Sequence, residues 1–448
     1  MVLLPSIYTI PKKVLTNSIL FLVFSIIYFM HKFKLMLFLL FSIFIISIVD
    51  KALIRTDIFY LLKWAIFFVF VIFELIIFKF DKWKLSFRSD YYKLPIIFFA
   101  IYIFLFSFFS MNIKTSLFKS ITLIFLILFS FVIIPEITKT KNDKENILKL
   151  IKNIFLFIIV LNGILLILSP RWAYDFWGVR FSGIFFNPNE LGMILFVSLP
   201  IFCYYLLTSK RKINRILNFI VTLLIFIITI FTFSRASMLG MFISIMVILY
   251  YVKKKWFRIF LVAFLVFSIV LLSSPVTMQI LRLSDNPLTY RDKIWKAGLS
   301  RFSDQKIIGN GYGTSKQIMS NRLLLRKYDI NKWHLGLHFH NIYIEVLCET
   351  GIIGFALFLS FLIFVMCKFI KKIRISNGEG KIFTICCYSL FWGAIFHGFF
   401  ESMMLSAGNI SNIIFWTLIG ISLQSNNLEF YYDNQSISGN QLNVNKLK

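Results

Sequence analysis

Long apolar runs separated by short polar stretches dominate the chain. They lie near residues 14–30, 35–49, 58–80, 94–110, 120–135, 150–169, 190–208, 216–233, 237–252, 257–273, 342–367, 382–398 and 409–424. An α-helix needs roughly 20 apolar residues to cross a bilayer. Several early runs are shorter than that, so the pattern predicts an all-α, polytopic integral membrane protein with about twelve transmembrane helices, within a range of about 11–14. The expected division is a transmembrane bundle over 1–273, one large loop over 274–340, C-terminal transmembrane helices over 341–424 and a tail over 425–448. Its Asn-, Ser- and Gln-rich composition predicts that the tail is disordered.

The charges orient these runs. Lys210, Arg211, Lys212 and Arg215 form one basic cluster, Lys253, Lys254, Lys255 and Arg258 a second, and Lys368, Lys371, Lys372, Arg374 and Lys381 a third. Cytoplasmic loops carry the excess of Lys and Arg. The stretches between the clusters, 170–189, the turn around 234–236 and the long loop 274–340, are therefore expected outside the cytoplasm. Thirteen helices would put the N-terminus outside and twelve would put it inside.

Composition agrees with lipid as the solvent. Hydrophobic residues make up 59% and charged residues 15% of the chain, with 56 Phe, whereas soluble domains carry about 25% charged residues. The net charge of +28 follows from the basic clusters, and no nucleic-acid-binding motif accompanies them. Cys203, Cys348, Cys367, Cys386 and Cys387 fall in or beside apolar runs without a CxxC, so zinc is not suggested, and no cofactor is. The N-terminus leads into an apolar run without a small-residue cleavage site and reads as an uncleaved first helix. No internal repeat is evident, which counts against a secondary transporter.

The candidate chemistry sits in the long loop and at helix ends. The loop holds eleven Lys and Arg against four Asp, a net of +7, a surface suited to an anionic ligand. Tyr290–Trp295 opens a short amphipathic helix whose Ile294, Trp295, Gly298 and Phe302 form a face suited to the membrane surface. Gly309–Thr314 lacks the Lys-Ser/Thr of a nucleotide loop and reads as a sharp turn that lets backbone approach closely. The loop closes on His338-Phe339-His340-Asn341. A helix starting near His340 would put His340, Ile344, Leu347, Gly351 and Gly354 on one face, with the two glycines admitting a neighbouring helix. Arg180 precedes the helix-entry signal Asn187-Pro188-Asn189. Arg235 lies between two apolar runs, where a cation needs a partner or a function. His397 and Glu401, at i and i+4, could line the same cavity or form an ordinary buried pair.

These pieces, in this order, resemble the O-antigen ligase and O-antigen polymerase superfamily of bacterial surface-polysaccharide enzymes. The resemblance covers roughly 170–425. Its best-defined part is H-N-x9-G-x-x-G, here His340-Asn341 through Gly351 and Gly354, supported by R-F-S-G-x-F-x-N-P-N at 180–189, S-R-A-S at 234–237, and Y-R-x-x-I-W with G-x-G-x-G-T at 290–314. It implies a GT-C-like fold in the bacterial inner membrane and metal-independent glycosyl transfer at the outer face. The donor would be an undecaprenyl-pyrophosphate-linked oligosaccharide. The acceptor would be a repeat unit in a polymerase, the first choice here by analogy with other Phe- and Ile-rich chains, or the lipid A core in a ligase. A chain-length regulator is a candidate partner. A lipid-linked glycan flippase is the reading from another class.

Residue chemistry supplies the roles within that resemblance. Arginines bind pyrophosphate bidentately and stabilise charge that grows as the glycosidic bond breaks, a task assigned to Arg291 and Arg235 with Arg180 as a third. An imidazole titrates near neutrality, so His340 can take the acceptor hydroxyl proton. One-step attack inverts the anomeric carbon, and no carboxylate pair in the loop suggests double displacement. His338 is the rival base; His340 is preferred for its adjacent Asn341 and its spacing to Gly351 and Gly354.

Overall fold

The computed structural model describes residues 57–77, 93–175, 178–262, 291–330, 338–405 and 409–424. Two compact units are distinguished, residues 1–70 and 71–448. The described part of the first is the opening of helix α1 (Asp57–Ile77), where Trp64 stacks on Phe68 at 5.4 Å between ring centroids.

Every regular element among the second unit's described residues is helical, apart from one isolated bridge between Tyr174 and Phe181. Its long helices are α2 (Leu94–Phe106), α3 (Ile113–Leu128, continued by a π turn and a last turn to Ile137), α4 (Lys141–Leu168), α5 (Pro188–Thr208), α6 (Lys212–Thr232), α7 (Arg235–Val252), α11 (Ile342–Ile375), α12 (Gly378–His397) and α13 (Ile410–Leu423). The loop carries α8 (Arg291–Phe302), α9 (Ser315–Ile318) and α10 (Arg322–Lys327). Ten of the thirteen apolar runs thus coincide with a helix. Runs 14–30 and 35–49, most of 257–273, the loop's first part and the C-terminal tail lie outside the described residues.

Six of the described helices are long and apolar enough to cross a membrane: Ile113–Ile137, α4, α5, α6, α7 and α11. Helix α6 shows why lipid is required. Ile216, Leu217, Phe219, Ile220, Leu223, Ile227 and Ile230 are exposed along it, while Thr222, Ile225, Ile228 and Thr229 face inward. Water would penalise such an outward face by about 25 cal/mol for each Å².

Local chemistry sets the helix starts near the loop. Asn187 caps α5 by accepting from Asn189 N–H at 2.9 Å, with Pro188 at the first helical position, where a missing N–H costs nothing. Asn341 caps α11, accepting from Tyr343 and Ile344 N–H at 3.0 and 3.1 Å.

Helix α11 departs from the expected single face. It starts after His340, and Gly351 breaks it with φ 67° and ψ −170°, a region open essentially to glycine alone. The loop backbone fills the break: Ile352 N–H donates to Lys306 O at 2.9 Å, and Asn310 and Gly311 N–H donate to Cys348 O and Glu349 O at 3.1 and 2.8 Å. A Cβ on Gly351 would lie 2.1 Å from Ile307 O, and one on Gly309 would lie 2.5 Å from the Glu349 carbonyl. The close approach expected of the Gly309–Thr314 turn is therefore to the broken helix. Gly354 does admit a helix, α2, whose Tyr102 ring would meet its Cβ at 2.9 Å. His340, Gly351 and Gly354 do not share one helical face, because a helix cannot run through all three.

The loop folds on its own apolar core. Ile294 and Ala297 of α8 pack with Ile318, Met319, Leu324, Leu325, Phe339 and Cys348. The α8 face expected on the membrane surface is thus turned inward: Ile294 and Gly298 are buried, and Trp295 Nε1 donates to Phe339 O at 3.0 Å. The loop supplies enough apolar side chains to satisfy that face without lipid.

Candidate active site

One carboxylate gathers most of the predicted residues. Glu401 lies just beyond α12, in a turn where its N–H donates to His397 O at 3.0 Å. Its Oε2 meets His340 Nδ1 at 3.0 Å, and its Oε1 accepts from Arg291 Nη2 at 3.1 Å and from Asn189 Nδ2 at 3.0 Å. Arg291 also donates to Phe400 O at 2.7 Å. Asn189 accepts from Arg180 Nη2, and Arg180 Nε donates to Thr232 O at 3.0 Å. Arg180, Asn189, Glu401, Arg291 and His340 therefore form one continuous network drawn from the α5 entry, the α12 end, α8 and the loop's close.

The electrostatics follow from this packing. Burial of Glu401 opposes its charged form, but His340, the hydrogen bond from it and Arg291 outweigh that burial and bring the carboxyl down to about 2. An ionised carboxylate only accepts, so the proton shared at 3.0 Å sits on His340 Nδ1. That tautomer leaves Nε2 as the basic edge of the ring. Nε2 has no hydrogen-bond partner among the described residues. His340 itself is held at φ 52°, the left-handed region, which a non-glycine residue occupies at a cost.

Arg235 opens α7, three residues beyond Thr232, whose carbonyl anchors Arg180. A left-handed Phe233, at φ 48°, makes the tight turn before it. Arg235 thus follows the α6–α7 turn whose Thr232 carbonyl holds Arg180.

His338 belongs to a second cluster. Its Nδ1 lies 2.8 Å from Ser315 Oγ and 3.2 Å from Glu345 Oε1. Ser402, next to Glu401 in sequence, donates to the other oxygen of Glu345. Deeper in, Glu349 accepts from Gly313 and Ser315 N–H, each at 2.8 Å, which pins the glycine-rich turn to α11. Both clusters line one cleft, with His338, His340, Glu345, Glu401, Ser402 and Tyr312 among its walls.

The sequence reading gave Glu401 too small a part. It set Glu401 beside His397, yet that histidine is fully buried, stacks on Phe196 at 5.6 Å between centroids, and leaves both ring nitrogens without a hydrogen bond among the described residues. Asn189 and Glu345 were likewise missed as links. The available signal was a carboxylate placed where an apolar helix ends, since such a charge needs a partner.

Residues 220–359 match the family described as O-antigen ligase. Over this segment the chain is similar to the O-antigen ligase and polymerase superfamily, as its motifs imply. Provisionally named polysaccharide ligases are among the relatives of this chain: one of Rickettsia felis is 26% identical over 227 residues, covering 49% of this chain and 53% of its own. One of Rickettsia conorii is 26% identical over 220 residues, covering 45% and 51%. One of Rickettsia bellii is 32% identical over 114 residues, covering 24% and 27%. The chain spans about half the length of the first two of these curated relatives. The superfamily segment holds Arg235, Arg291, His338, His340, Asn341, Gly351 and Gly354. Arg180, Asn189 and Glu401 fall outside it and join its residues only through the fold.

Proposed function

We propose that the chain is a glycosyltransferase that moves a glycan from undecaprenyl pyrophosphate to a saccharide hydroxyl at the outer face of the bacterial inner membrane. The observation that carries this reading is the anchoring of His340 Nδ1 on Glu401, which also holds Arg291. A base and a cation are thereby fixed on one carboxylate, side by side.

In the proposed reaction His340 Nε2 takes the proton of the acceptor hydroxyl as its oxygen attacks the anomeric carbon. The bond from that carbon to the pyrophosphate oxygen breaks with its electron pair, and the configuration inverts. Arg291 uses two of its five N–H donors on Phe400 O and Glu401, which leaves three for the leaving pyrophosphate. Arg180 and Arg235 add positive charge from the neighbouring helix end. The Glu401 carboxylate stabilises the imidazolium that forms, as a buried acid does for the histidine of a hydrolase triad.

The acceptor favoured here is a second lipid-linked repeat unit, which makes the chain a polysaccharide polymerase. The expected outcome is that His340→Ala or Arg291→Ala cells hold single repeat units and no long chains on a gel of surface glycans; normal ladders from both variants would remove the mechanism. Transfer to lipid A core is the second reading, favoured by the names of the Rickettsia relatives. Under it, deleting the gene leaves long lipid-linked polymer that never reaches the core.

A further inference from the structure

The cleft holds two histidine–glutamate pairs. His340 is held by Glu401 and His338 by Glu345, in each case through Nδ1, at 3.0 and 3.2 Å. The pairs are tied together, because Ser402 bonds Glu345 while its neighbour Glu401 bonds His340. Both imidazoles thus present Nε2 as the edge left over, two residues apart in sequence and on the walls of one cleft.

Transfer from a pyrophosphate needs one base and no acid, since the leaving group departs as a stable anion. The second imidazole is therefore surplus to the bond-making step. Its surroundings differ as well. Glu401 lies among Arg291 and, through Asn189, Arg180, whereas the His338–Glu345 pair bonds Ser315 and Ser402 and has one lysine, Lys119, on the same cleft wall. Hydroxyls, a carboxylate, an imidazole and an ammonium all bind sugar hydroxyls, and the Glu345 carboxylate disfavours a pyrophosphate beside it.

We propose that His338, oriented by Glu345 and Ser402, binds a hydroxyl of the acceptor saccharide next to the one that His340 deprotonates. This rests on the glycosyl-transfer reading and adds to it a direction: donor phosphates on the Arg291–Arg180 side, acceptor sugar on the His338–Glu345 side. His338 is then a positioning residue for the acceptor, and its loss acts on acceptor binding.

The experiment uses the full chain, purified in detergent. The donor is lipid-linked oligosaccharide extracted from the cells that make the protein, and the acceptor is the same oligosaccharide freed from its lipid by mild acid. His338→Gln and Glu345→Gln should each raise the KM for free oligosaccharide about tenfold, the effect of one lost hydrogen bond. The KM for the donor and kcat should stay within about threefold. His340→Gln should instead abolish kcat. A rise confined to the donor KM in His338→Gln, or a collapse of kcat, overturns the acceptor assignment. Unchanged kinetics in both His338→Gln and Glu345→Gln overturn it too. An active His340→Gln enzyme overturns the underlying reading instead. Ser402→Ala, a small deletion at the cleft wall, guards against misfolding and should give the same KM effect in weaker form.

Discussion

His340 Nδ1 and Glu401 Oε2 lie 3.0 Å apart, although 61 residues separate them in the chain. One residue closes the long loop and the other follows helix α12. The contact sets the histidine tautomer, and the carboxylate's other oxygen holds Arg291 and Asn189. The geometry of the proposed base is therefore decided by a residue outside the segment that matches the O-antigen ligase family.

Glu401→Gln keeps the shape and removes the charge. The amide can present its NH2 to His340 and stabilise the other tautomer, with Nε2 protonated and unable to act as base. We expect kcat to fall by about 10²-fold or more, by the reasoning that applies to the acid of a hydrolase triad. Glu401→Asp should recover part of the loss. Steady-state rates of both variants decide the point, and a fully active Gln variant would disprove the orienting role.

Arg291→Lys retains the charge and loses the planar fork. Donor KM should rise about tenfold, as one charge-assisted hydrogen bond is worth about 1.5–3 kcal/mol. Arg291→Ala should be worse, because it also leaves Glu401 without its cation. A lysine variant with wild-type donor KM would show that charge alone suffices.

Gly351→Ala tests the join between loop and helix. The added Cβ would meet Ile307 O at 2.1 Å in a conformation at φ 67°. Strain and displacement together should cost roughly 3 kcal/mol or more. The apparent melting temperature in detergent should drop by several degrees, and Gly309→Ala, which strikes the same join from the other side, should behave alike. Gly378→Ala, also at positive φ but with nothing within 4 Å, should cost less. Equal melting of all four proteins would contradict the packing described.

The Glu401 carboxyl is held down at about 2, below its ordinary 4.5, by His340 and Arg291 against the opposing effect of burial. A depressed acid stabilises the fold above its unfolded value and loses that contribution as pH falls through the folded one. The stabilising effect of Glu401 should thus be whole at pH 5 and above, decline below about 4.5 and vanish near 2. Melting curves of wild type and Glu401→Gln across this range should converge only at the acid end. A gap that closes between pH 8 and 5 would mean the carboxyl is not held so low.

The pattern of apolar runs by itself determined that the protein is helical and lipid-dissolved, because a run of that length has no other stable solvent. Ten runs became helices where expected, and Asn187-Pro188 and Asn341 cap two of them. Local rules suffice for such features, since each depends on residues within one turn. Residue type and spacing also single out His340 and Arg291, and the fold brings both onto Glu401. What only the tertiary structure decided is the company they keep. In sequence Asn189 is marked only as part of a helix entry, Glu401 only as the partner of His397, and Glu345 not at all. They matter because chain ends 61 and 212 residues apart are brought within 3.0 Å. The helical face drawn from His340 to Gly354 failed for the same reason: the loop backbone enters at Gly351, and that long-range contact overrides helical spacing.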